Sequence, residues 1–135
     1  MPGLTGVSHV ELTVSDVERS AAWYGEVLGF DTVLVATDTP DFFQGRVISV
    51  LRPDIGLGIG LVEHQDGDRN RFSEFRVGLD HLAFAVGSRS DLEAWVEHFD
   101  RLGVVYSPIN DMPYACVVVF RDPDGIQLEL FALPR

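Results

Sequence analysis

Cysteine is almost missing: the 135 residues include one, Cys116, which rules out an internal disulfide and fits a reducing compartment. Long apolar runs are missing too. None approaches the ~20 residues that a membrane-spanning helix needs, so no membrane partner is expected. The opening stretch MPGLTGVSH lacks a basic segment followed by an apolar core, and no signal peptide is expected from it. Positive charge is scarce. With 10 Lys and Arg against 21 Asp and Glu, the net charge of −11 repels phosphate backbones, so no nucleic-acid partner is expected. These absences together point to a cytoplasmic protein. What is present, 46% hydrophobic and 23% charged residues, is a globular balance that excludes disorder, and the length fits one domain over residues 1–135.

Val7 to Val14 alternates apolar Val10, Leu12 and Val14 with polar residues, the period of a half-buried strand. Ser15 or Asp16 then offers an N-cap for a helix over Val17–Leu28, where Val17, Ala21, Tyr24, Val27 and Leu28 recur at helical spacing. Gly29 closes it. Three strands are expected next, over Phe30–Ala36, Gly45–Leu51 and Leu57–Val62, followed by the polar stretch EHQDGDRNRFSEFR at 63–76 as a connection. The pattern then restarts: a strand over Leu79–Val86, a helix capped by Ser88 or Ser90 and ended by Gly103, and strands over Val104–Tyr106, Ala115–Arg121 and Ile126–Ala132. Asp122-Pro123-Asp124-Gly125 is a turn, with Pro presetting φ and Gly accepting a positive one.

An offset of 72 lays Val7-Ser8-His9-Val10 on Leu79-Asp80-His81-Leu82 and Ala22-Trp23 on Ala94-Trp95. The chain is therefore read as an internal repeat of two βαβββ modules, about 5–63 and 78–133, with a linker over about 64–77. Such a pair of curved sheets encloses a natural ligand cavity.

His9 and His81 fall at equivalent points of the repeat. A lone strand histidine is more often a hydrogen-bonded core or surface residue than a ligand. Duplication changes the weighing, since pseudo-twofold symmetry brings both imidazoles toward one axis. Glu129 lies in IQLELFA, where Gln127, Glu129 and Phe131 share one strand face. It either faces solvent or, if buried, needs a cation. Two imidazoles and a carboxylate suit Fe, Mn, Zn, Ni or Co in the divalent state. Elsewhere the plainer reading is preferred. Trp23, Tyr24 and Trp95 are packing residues, His98 is solvated, Cys116 is an inert buried thiol, and Phe42-Phe43 belongs to an interface or the core.

His9 in SHVELTVSD, His81 in GLDHLAFAV and Glu129 in FRDPDGIQLELF resemble the recurring blocks of the vicinal oxygen chelate superfamily, which includes glyoxalases, bleomycin-resistance proteins and extradiol dioxygenases. The likeness runs the length of the chain. It implies an α+β fold in which the two modules form a curved, barrel-like mixed sheet. It further implies a metal held by His9, His81 and Glu129, a small-molecule substrate bound to that metal through oxygen, and a homodimer. The family's fourth ligand position falls on Gly60, which has no side chain to offer. Glu63 has the opposite strand parity, and His64 lies about 13 Å further along an extended strand. The expectation is thus a three-ligand site completed by water or substrate, with Glu129 and Tyr114 as the candidate catalytic groups. The reaction stays open among lyase, thiol-transfer and dioxygenase chemistry. A metal-free protein that sequesters a ligand is the alternative.

Overall fold

The computed structural model describes residues 1–39 and 43–134. The elements run β1 (Val10–Thr13), α1 (Val17–Leu28), β2 (Asp31–Thr39), β3 (Phe43–Arg52), β4 (Leu57–His64), β5 (Leu82–Val86), α2 (Arg89–Leu102), β6 (Asn110–Met112), β7 (Ala115–Arg121) and β8 (Gln127–Ala132). They divide into two compact units, Met1–Arg69 and Asn70–Arg135. Strands follow the order β1-β4-β3-β2 in the first unit and β5-β8-β7-β6 in the second. In each unit the first strand pairs in parallel with the last, and the remaining pairs are antiparallel. The repeat read from sequence is thus a repeat of topology, with two four-stranded mixed sheets each carrying one helix.

Both helices start and stop where their chemistry dictates. The Asp16 carboxylate accepts from the Arg19 amide at 2.9 Å, and the Ser88 hydroxyl does the same for Asp91 at 3.2 Å. At the other ends Gly29 (φ 71°) and Gly103 (φ 69°) adopt the left-handed conformation that glycine takes without strain. The Arg52 guanidinium donates to the Leu28 carbonyl at 2.6 Å, satisfying an acceptor that the end of α1 leaves unpaired.

Packing follows strand alternation. In the first unit Leu12, Ile48, Val50, Ile59 and Leu61 are buried together with Val17, Tyr24, Val27 and Leu28 of α1. In the second, Val118, Phe120, Leu128, Leu130 and Ala132 are buried with Leu92 and Phe99 of α2. Each large apolar side chain so buried contributes about 1.5–3 kcal/mol. Phe99 stacks on Phe120, with ring centroids 4.8 Å apart. Trp95 is only half-buried and meets His98 edge to face at 5.4 Å, at the rim of a shallow recess on α2.

One strand departs from expectation. Val104–Tyr106 forms no ladder beyond a single bridge from Tyr106 to Phe120, and the partner of β7 is instead β6. The reason is local: the Ser107 hydroxyl accepts from the Val119 amide at 2.9 Å, and Pro108 has no N–H to extend a ladder. Phe42 lies outside the described residues. Cys116 is half-buried, and its hydrogen bond to Asp111 raises the thiol pKa, which disfavours the reactive thiolate.

Candidate metal centre

His81 immediately precedes β5, and Glu129 sits on the neighbouring β8. Ala83, two residues on from His81, pairs with Glu129, so strand alternation sets His81 diagonally across from Glu129 on the same side of the sheet. That face is the one turned away from α2, because Leu128, Leu130 and Ala132 fill the helix side. Glu129 is half-buried there.

The orientation of His81 is fixed from behind. Its Nδ1 lies 2.6 Å from the Asp80 carboxylate, which makes Nδ1–H the donor and leaves Nε2 with a free lone pair. Asp80 is itself held by Gln127, whose amide donates to Asp80 Oδ1 at 3.3 Å and to the Asp80 carbonyl at 3.2 Å. Arg121 in turn donates to Gln127 Oε1 at 3.2 Å and pairs with Glu74 at 2.8 Å. The guanidinium beside Glu74 lowers that carboxyl from its ordinary 4.5 to about 2. Five residues thus lead from Glu74 to the imidazole. Sequence reading assigned Asp80, Gln127 and Arg121 no part in holding His81. Their i+1 and face-sharing positions were the available signal.

In the first unit His9 stands just ahead of β1, with Nδ1 3.1 Å from the Ser8 hydroxyl and Nε2 3.9 Å from Glu11 Oε1. His9 and Glu11 share an open face with Gly58, Gly60, Ser49 and Leu51, and with Val33 they line a recess of about 260 Å³. Gly60 lies on β4, which runs through to His64 without a bulge. Glu63 consequently points to the α1 side, where its carboxylate accepts from the Val17 amide at 3.2 Å and from Arg69 at 3.4 Å. The parity argument against Glu63 holds, and its task is to cap α1. His64 is exposed at the far end of β4.

Within the second unit Tyr114 lies apart from His81 and Glu129. It is exposed in the turn between β6 and β7, at the edge of the sheet opposite β5 and at the end where β8 finishes. His81 stands by the other edge, where β8 begins.

Sequence reading also passed over a cluster at the start of α1, where carboxylate oxygens of Asp16, Glu18 and Glu63 lie within 4.8 Å of one another. Asp16 caps the helix, Glu63 binds an amide and Arg69, and Glu18 pairs with Arg46, so helix amides and guanidinium groups already balance this charge.

Residues 6–130 match the family model described as the Glyoxalase/Bleomycin resistance protein/Dioxygenase superfamily. The chain belongs to this superfamily. A member domain from Frankia sp. EAN1pec superposes with a TM-score of 0.86 at 36% identity, covering 98% of this chain and 100% of that one. The metallothiol transferase FosB of Staphylococcus saprophyticus is 26% identical over 129 residues, which is 94% of this chain and 76% of FosB. The putative ring-cleaving dioxygenase MhqA of Bacillus subtilis is 30% identical over 93% of this chain but only 39% of its own length. The fold is also that of the fosfomycin resistance protein FosX of Listeria monocytogenes, solved with Mn(II) and sulfate (TM-score 0.71, 23% identity, covering 98% and 95%). Superfamily membership fixes the architecture and leaves the reaction open.

Proposed function

We propose that this chain is a metal-dependent enzyme for small molecules, holding one divalent ion through His9, His81 and Glu129. The observation that carries the reading is the pair in the second unit: an imidazole whose Nδ1 is tied to Asp80, next to a half-buried carboxylate on the same sheet face. The donor set fits a first-row divalent ion, because neutral imidazole and carboxylate are the ligands such ions take. His9 is the proposed imidazole from the first module, and the proposal has both modules serve one ion, within one chain or between two.

When bound, the metal supplies Lewis acidity to a substrate oxygen. The chain's own residues do the rest. Asp80 holds the His81 imidazole with Nδ1–H as donor and Nε2 facing away, while the Ser8 hydroxyl contacts His9 Nδ1 as either donor or acceptor. Glu129 supplies negative charge to the ion and is the group proposed to accept a proton from bound substrate. Val33 and Leu51 give the recess apolar walls, and Ser49 gives it a hydroxyl. Tyr114 has no part in the scheme. FosB and FosX, a thiol transferase and a fosfomycin resistance protein, make electrophilic phosphonates with a thiol donor the first substrates to screen; MhqA puts catechols second.

A homodimer belongs to the proposal. Edge strand β2 exposes Val33, Leu34 and Val35 by 57, 55 and 62%, and an apolar edge left open is a pairing hazard that a second chain would remove. A solution mass of two chains is the expected result.

The test is metal content of tag-free, chelator-free protein together with His81→Ala and Glu129→Gln variants. One equivalent of ion in the parent is expected, with affinity reduced more than about 100-fold in each variant, beyond what loss of an outer contact causes. No ion taken up from Mn(II), Fe(II) or Zn(II) would sink the proposal. That result, with saturable binding of a cationic drug-like ligand by the apo protein, would favour the sequestration reading, which rests on the missing side chain at Gly60.

A further inference from the structure

The backbone conformation of Gly60 does not demand glycine, and the space beside it is taken by the Glu11 side chain. Its φ is not among the positive values found at Gly29, Gly56 or Gly103, so any residue could adopt its backbone. A Cβ placed there would sit 2.9 Å from Glu11 Cγ, 3.1 Å from Glu11 Oε1 and 3.3 Å from Glu11 Cδ. The Glu11 side chain lies across Gly60 and fills the volume that a side chain at position 60 would take.

The two sheets make the same point by register. In the second unit Glu129 of β8 pairs with Ala83 of β5; in the first, Gly60 of β4 pairs with Glu11 of β1. Under the repeat His9 matches His81, Glu11 matches Ala83 and Gly60 matches Glu129. Each row therefore holds one carboxylate beside one residue with little or no side chain. Between modules the carboxylate has changed strands.

Its position also suits coordination. Glu11 Oε1 lies 3.9 Å from His9 Nε2, the ring nitrogen that does not contact Ser8. A single ion spans up to about 4.2 Å between an imidazole nitrogen and a carboxylate oxygen, given bonds of about 2.1 Å to each. Both side chains are more than half exposed, so as a bare ion pair they contribute only about 0–1 kcal/mol, and stability gives no reason to reserve a glycine beneath them.

We infer that Glu11 is a fourth protein ligand to the proposed ion, delivered from β1 into the position that Gly60 leaves without a side chain. The inference rests on the metal reading above. Four protein donors, two imidazoles and two carboxylates, leave fewer places for water or substrate than three, and add a second negative charge to favour a divalent cation.

The experiment measures Mn(II) affinity of full-length, tag-free protein by the free-ion EPR signal, for wild type, Glu11→Gln, Glu11→Ala, Gly60→Glu and the double variant Glu11→Ala/Gly60→Glu, with a melting curve for each. Glu11→Gln and Glu11→Ala are expected to weaken binding by about tenfold or more at unchanged melting temperature, a lower bound set by the loss of an outer contact. Gly60→Glu alone crowds Glu11 and is expected to bind worse than wild type. The double variant returns the carboxylate by the other strand and is expected to regain affinity over Glu11→Ala. A merely structural role for Glu11 predicts no such rescue. Wild-type affinity in Glu11→Gln, or a folded double variant no better than Glu11→Ala, would overturn the assignment while leaving His9, His81 and Glu129 in place. Absence of Mn(II) binding by the wild type would overturn both.

Discussion

The two modules agree in strand order and helix caps and differ in how firmly each holds its histidine. His81 rests on a chain of Asp80, Gln127, Arg121 and Glu74, beginning with a 2.6 Å contact. Among the described residues, His9 meets the Ser8 hydroxyl at 3.1 Å and an exposed carboxylate 3.9 Å away. The carboxylates differ as well, since Glu129 is half-buried on the last strand of its module and Glu11 is exposed on the first. The difference teaches that a duplicated fold preserves backbone pairing more faithfully than the side chains hung on it. One histidine is backed by a relay of side-chain hydrogen bonds, and the other by a single hydroxyl contact.

That asymmetry is open to attack. The largest stability effect should fall on the aromatic cluster of the second module: Phe99→Ala leaves a cavity beside Phe120, Tyr106 and Trp95 and is expected to cost about 3–5 kcal/mol by chemical denaturation. Next comes the histidine support. Asp80→Ala is expected to weaken metal binding by roughly 10–100-fold, and Ser8→Ala by less, since a hydroxyl fixes a tautomer more weakly than a charged carboxylate does. Equal losses in a metal titration would erase the contrast between modules. The smallest effect concerns pH. Glu74 has its folded pKa lowered to about 2 from 4.5 by Arg121, so its ion pair adds stability that is fully present above 4.5 and lost as pH falls from there toward 2. Glu74→Gln should lower the melting temperature slightly at neutral pH, with the difference from wild type closing as pH falls from 4.5 toward 2.

Much of this was legible in the chain itself. Helix α1 matched its expected span at both ends, because Asp16 and Gly29 mark it with local chemistry. The repeat of one strand, one helix and three strands followed from alternation and from the 72-residue offset. The strand set at Val104–Tyr106 was misplaced because Ser107 and Pro108 interrupt pairing through side-chain chemistry that apolar alternation does not register. Parity within β8 set Gln127, Glu129 and Phe131 on one face, and the other face carries buried Leu128, Leu130 and Ala132. What sequence could not supply was cross-strand register. Glu11 beside Gly60 and Gln127 reaching Asp80 are contacts between residues about 50 positions apart, and no periodicity within either strand reveals them.

The account depends on imidazoles from both modules meeting one ion. The direct measurement is an NMR titration with Mn(II), following the imidazole signals of His9, His64, His81 and His98. Paramagnetic broadening of His9 and His81 together, at the same metal-to-protein ratio and ahead of His64 and His98, is the predicted result. Broadening of His81 without His9, or of all four in parallel, would contradict it.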